Sequence, residues 1–221
     1  ITQFRNKRFK ASMNLTKEME LEMQKDNGRY HKQFSERHAI LQALNYNYTG
    51  KHEKAIKILK DFKKDSLDVK LLIAMCLFQQ DAYSEAYQII KSLSHSDVWY
   101  EKKMGWVWVV KKNLVEILLL TELDRLDLVL VRLQQFGRKY SRQLRDRREE
   151  RVLTFVKLIS KYYENPEQVV TEKFKDEVEN SFEWLSKEQE DIFVMSFYAW
   201  LKAKMENENL YKITLSLVGQ L

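Results

Sequence analysis

One proline and five glycines are all the backbone punctuation that this chain carries over 221 residues, and that scarcity limits its folds more than any other feature. Strand-rich architectures need Gly and Pro at their turns, so sandwiches, barrels and doubly wound sheets are excluded. The charged fraction points the same way. At 32% charged against 44% hydrophobic, the chain suits amphipathic helices, which bury one stripe and leave the rest of the cylinder in water. The expected fold class is all-α.

Apolar stripes at three-to-four spacing place the helices. Ile40/Leu41, Leu44 and Tyr48 form one that stops at Gly50, and Ala55, Ile58/Leu59 and Phe62 form the next. Ser66 or Asp68 can cap a third helix, and Ser84 a fourth with Ile89/Ile90 and Leu93. Ser96 or Asp97 opens a longer helix running through Trp106 to Leu120/Thr121, and Asp124 or Asp127 starts its partner with Val129, Leu133 and Phe136. Further helices are predicted from Val152 to Tyr163 and, after Asn165-Pro166 with Gln168 as a capping box, through Val170, Phe174, Val178 and Phe182. A second box, Ser186 with Gln189, precedes the apolar run Ile192 to Met205, and Asn207 or Asn209 can open the last helix. No Gly/Ser- or Pro-rich linker interrupts the series, so it reads as one continuous helical domain.

The chain also repeats itself. Ala43, Tyr46, Gly50, Ala55, Leu59 and Phe62 align with Ala74, Leu77, Asp81, Ala86, Ile90 and Leu93, each pair 31 positions apart. Ile117, Leu120, Asp124, Val129, Leu133 and Phe136 follow 43 positions later. In each copy two small or apolar sites lie twelve apart, at Ala43/Ala55, Ala74/Ala86 and Ile117/Val129. The stretch from Leu41 to Ala55, and Asp81-Ala82-Tyr83-Ser84-Glu85-Ala86 after it, resemble the tetratricopeptide repeat, in which small residues let two antiparallel helices nest. The usual period of about 34 residues is replaced here by 31 and then 43. The resemblance implies a right-handed solenoid of helical hairpins over residues 35–140. A helical segment over 1–34 would pack on it, and further hairpins over 141–221 would continue the same domain.

That family lines a concave groove with its first helices, which would place Ile40, Leu44, Leu71, Met75, Leu114 and Leu118 on the inner wall. All six are apolar, so the Lys and Asn clamp with which some members hold chaperone tails is missing. The wall could seat a partner's amphipathic helix, or the chain's own helices could fill it. Six exposed side chains of this size would forfeit roughly 1.5–3 kcal/mol each, so self-filling is expected. A second feature is the basic cluster Arg138, Lys139, Arg142, Arg145, Arg147, Arg148 and Arg151. Helical spacing puts Arg138, Arg142 and Arg145 on one face and Arg147 and Arg151 on another. Asp146, Glu149 and Glu150 sit within the cluster and would pair locally, which argues against nucleic acid despite a net charge of +6. Trp99-Tyr100 and Trp106-x-Trp108 read as core aromatics.

Catalytic signatures are missing. His31, His38, His52 and His95 lack metal-ligand spacing, and there is no glycine-rich phosphate loop or nucleophile elbow. No catalytic residue, metal or cofactor is therefore expected. Cys76, in an apolar run, reads as a buried thiol, and a single cysteine fits a reducing, cytoplasmic setting. No apolar run is long enough to span a bilayer, so no membrane is expected, and an Ile at position 1 suggests a piece of a longer protein. The function expected is a non-catalytic protein-interaction module whose partner is a protein or peptide. The alternative is the regulatory domain of a transcription regulator, with the basic cluster touching nucleic acid.

Overall fold

The structure, a computed structural model, describes residues 1–182 and 192–219. It is all-helical, and no strand occurs among the described residues. The α-helices are α1 (Thr2–Arg5), α2 (Phe9–Gly28), α3 (His31–Asn47), α4 (His52–Asp61), α5 (Leu67–Phe78), α6 (Tyr83–Lys91), α7 (Asp97–Met104), α8 (Trp106–Glu122), α9 (Leu126–Asp146), α10 (Glu150–Glu164), α11 (Glu172–Ser181), α12 (Ile192–Glu206) and α13 (Leu210–Leu217). Among the described residues no helix is long and apolar enough to cross a membrane. The predicted box of Ser186 and Gln189 lies outside the described residues.

Local chemistry sets most of the boundaries. Ser66, Ser96, Thr171 and Asn209 each accept a hydrogen bond from the backbone N–H three residues on, opening α5, α7, α11 and α13. Gly50, Asp81 and Asp124, the three aligned turn positions of the repeat, all adopt the left-handed conformation, with φ of 79°, 57° and 51°. After α3 and α8 the chain closes the same way, Lys51 N–H donating to the Tyr46 carbonyl and Arg125 N–H to the Leu120 carbonyl.

Three boundaries differ from the expectation. The long helix from Ser96 to Thr121 is broken at Gly105, whose φ of 88° separates α7 from α8. Ser84 lies inside α6, whose N-cap is Ala82. After Asn165, Pro166–Val170 forms only a turn of 3-10 helix, and Asn165 makes no side-chain cap bond. Thr171 restarts the chain as α11, because a Thr hydroxyl aimed at a free N–H is a stronger initiator than an unsatisfied Asn.

The chain divides into two compact units. One takes Ile1–Asp81 with the described residues of Trp184–Ala203 and Glu208–Leu221, and the other takes Ala82–Glu183 and Lys204–Asn207. The boundary falls at the turn between α5 and α6. In the first unit α3 packs on α4, with Ala43 and Ala55 fully buried. Phe4 and Phe9 from the N-terminus, and Ile192, Met195 and Val218 from near the C-terminus, join Leu41 and Tyr48 in one cluster, against which Leu44 packs. The ring of Tyr48 lies 5.9 Å from Phe4 and 6.4 Å from Phe9.

A buried polar network runs beside that cluster. Gln79 donates from Nε2 to Ser196 Oγ at 3.2 Å and accepts at Oε1 from Asn47 Nδ2 at 2.7 Å, and Tyr48 Oη shares a 2.9 Å bond with Ser196 Oγ. Cys76 is buried nearby in α5, and burial pushes its thiol up to about 12, so the thiolate is not formed near neutral pH. In the second unit α8 is the central helix. It packs against α6, α7 and α9, and α9 packs in turn against α10. Val129, Leu133, Phe136, Tyr140 and Leu144 make the buried stripe of α9.

Candidate binding cleft

Helix α8 is buried from Trp108 to Leu120 except at the half-buried Lys111, and its buried side chains there are apolar but for Lys112, Asn113 and Glu116. Lys112 and Glu116 sit one turn apart on one face, with side-chain exposures of only 9% and 10%. Charges removed from water this far must be paired, and the neighbouring helices supply the partners. Ser96 caps α7 and sets Asp97 at its first position, where the helix dipole favours an acid. Asp97 Oδ1 accepts from Lys112 Nζ at 3.1 Å. Its Oδ2 accepts from Tyr140 Oη at 2.9 Å, Lys139 Nζ at 3.1 Å and Asn113 Nδ2 at 3.2 Å. Glu116 accepts an ion pair from Arg132 at 2.8 Å and lies 3.6 Å from Lys112.

The result is an alternating chain of charge, Lys139, Asp97, Lys112, Glu116 and Arg132, joining α7, α8 and α9. Partial burial pushes the Asp97 carboxyl up. The Lys112 charge and the hydrogen bonds from Lys112, Tyr140 and Lys139 outweigh it and hold the group at about 2. Burial, and then the bond to Asp97, raises the Tyr140 hydroxyl above its ordinary range, so it stays a donor.

Two adjoining cavities open over this chain. One, of ≈ 520 Å³, has Lys91, Val98 and Lys112 in its lining, and the other, of ≈ 460 Å³, has Phe136 and Arg138. Asp97, Arg132 and Lys139 line both. Five cations therefore face two carboxylates, and both carboxylates are already occupied by ion pairs. Such a lining suits a visiting anion by charge and hydrogen bonding. Among the described residues no group of His, Cys, Asp and Glu converges as a metal ligand set.

The sequence-derived candidates fall differently. Leu71, Met75, Leu114 and Leu118 are core residues, while Ile40 and Leu44 are half-buried, so a partner cannot reach the first four without displacing packing. Arg138, Arg142 and Arg145 lie on α9 and are exposed. Arg147 and Arg151 do not share a helical face, since α9 ends at Asp146 with Arg147 as its cap, and Arg148 turns with a φ of 59°. Arg151 belongs to α10. Arg147 instead covers the ring of Trp106 at 4.7 Å, and Trp106 Nε1 donates to Gln143 Oε1 at 2.7 Å. Of the four aromatics expected in the core, Tyr100 and Trp108 are buried, whereas Trp99 and Trp106 are half-buried. Trp99 stacks on His95 at 4.0 Å between centroids.

Sequence reading saw Asp97 only as a helix cap and passed over Lys112 and Glu116. A signal for them existed: two opposite charges four residues apart, flanked on both sides by apolar runs of the same helix. Compared with known protein families, with curated proteins and with solved structures, the chain matches none.

Proposed function

We propose that this chain is a non-catalytic protein-interaction module built from hairpins of the tetratricopeptide kind. Support for the repeat comes from the matched left-handed turns at Gly50, Asp81 and Asp124 and from the complete burial of Ala43, Ala55, Ala74 and Ala86. Ala43 and Ala55 lie on α3 and α4, which pack on one another, and small residues there let paired helices approach closely.

The observation that carries the interaction reading is the start of α9. Leu126, Leu128, Leu130 and Val131 are exposed by 55%, 48%, 44% and 47%, although a helix in a monomer normally hides such a run. Exposed apolar side chains with polar neighbours mark contact surfaces, and here Leu128 and Val131 share a face with Arg132, which lines the charged cleft. Selection of a random peptide library on the immobilised protein tests the reading. A module enriches a convergent motif, and Leu128→Asp with Val131→Asp abolishes the enrichment. No convergence over repeated rounds, or equal enrichment on the double variant, refutes it.

A further inference from the structure

We infer that the partner is an acidic amphipathic helix, seated along the outer face of α9 with its carboxylates over the Asp97 cleft. This rests on the interaction-module reading and adds the partner's chemistry and place. Helical spacing puts Leu128, Val131, Arg132, Gln135, Arg138, Lys139 and Arg142 on one face of α9, opposite its buried stripe. That face spans about four turns, or roughly 20 Å. Its first part is apolar, through Leu128 and Val131, and its later part is cationic.

Charge decides what fits. From Leu128 to Arg145 the helix carries Arg132, Arg138, Lys139, Arg142 and Arg145 and no acid. The side chain of Arg142 is 94% exposed, and its neighbour Asp146 stands 3.9 Å away, too far for a strong pair. Arg132 and Lys139 each give part of their donor set to Glu116 and Asp97, yet remain 43% and 38% exposed. A guanidinium has five N–H donors and an ammonium three, so both retain capacity for a visiting carboxylate.

The same face disfavours a nucleic acid, because Leu128 and Val131 would find no apolar counterpart on a sugar-phosphate chain. A helix with two apolar anchors one turn apart, followed by glutamates at three-to-four spacing, matches both halves of the face. The seat is also not the groove that the repeat resemblance suggests, because α9 is the second helix of its hairpin.

The test uses a fluorescein-labelled peptide about four helical turns long, with two leucines in its first half and glutamates at helical spacing in its second. Anisotropy is followed on the full chain between low salt and about 0.3 M, where surface charge is strongly screened. Saturable binding that weakens with salt is expected. A peptide with Gln for every Glu should bind at least about tenfold more weakly, as should Arg138→Glu/Arg142→Glu, whose positions lie outside the buried charge chain, with an unchanged circular dichroism spectrum. A single-stranded oligonucleotide of equal charge should bind more weakly than the peptide. Equal affinity for the variant and the wild type, no loss with the Gln peptide, or tighter binding of the oligonucleotide overturns the inference. Failure of the acidic peptide beside a convergent library motif overturns the inference and leaves the module. Failure of both overturns the module as well.

Discussion

Replacing Asp97 with Asn tests the charge chain that organises the second unit. The side chain keeps its shape but loses its charge, and its amide nitrogen must face groups that are themselves donors: Lys112, Asn113, Lys139 and Tyr140. Two routes give the magnitude. A carboxyl held at about 2 in the folded state against an ordinary 3.8 contributes about 2 kcal/mol at neutral pH. Breaking a buried ion pair costs roughly 3–5 kcal/mol, reduced here because Lys112 keeps Glu116 at 3.6 Å and Lys139 is partly exposed. The expected loss is about 2–3 kcal/mol. Because folding lowers this carboxyl's pKa, its contribution is complete above about pH 4 and is lost as the pH falls through about 2. The gap between wild type and Asp97→Asn should be full at neutral pH, and roughly half of the pH-linked part should be gone near pH 3. Urea unfolding followed by circular dichroism across that range measures it. Adding Lys112→Met should recover part of the loss, since it removes the buried ammonium left behind. A gap below about 0.5 kcal/mol at neutral pH, or one that stays constant as pH falls, refutes the account.

Two further perturbations address backbone and packing. Gly50→Ala should destabilise by about 1 kcal/mol or more, although no atom lies within 4 Å of an added Cβ, because φ is +79°. Gly137→Ala, inside α9 with Ser141 Oγ at 4.0 Å from the new Cβ, should stabilise by about 0.5–1 kcal/mol. Denaturant midpoints read both, and equal signs for the pair remove the backbone explanation. Ala55→Leu and Ala86→Leu should each cost roughly 1–3 kcal/mol by overpacking fully buried sites. Neutral midpoints at both would leave the repeat without its packing basis.

The sequence by itself determined what is local. Gly and Pro scarcity with periodic stripes was enough for an all-helical chain, because helix hydrogen bonds close within four residues. Ser66, Ser96 and Asn209 were legible as caps for the same reason, since each needs only the N–H three residues on. Local reading failed where two local signals competed, as at Gly105 within a continuous apolar stripe and at Asn165 beside Thr171. Tertiary structure alone decided the cleft. Asp97 meets Lys112, Lys139 and Tyr140 across 15, 42 and 43 positions, and no periodicity announces which of 32 acidic residues will be drawn into such a network. It likewise decided that the start of α9 is left uncovered: an apolar side chain reads the same in sequence whether it is buried or exposed, and only the packing of the other helices settles which.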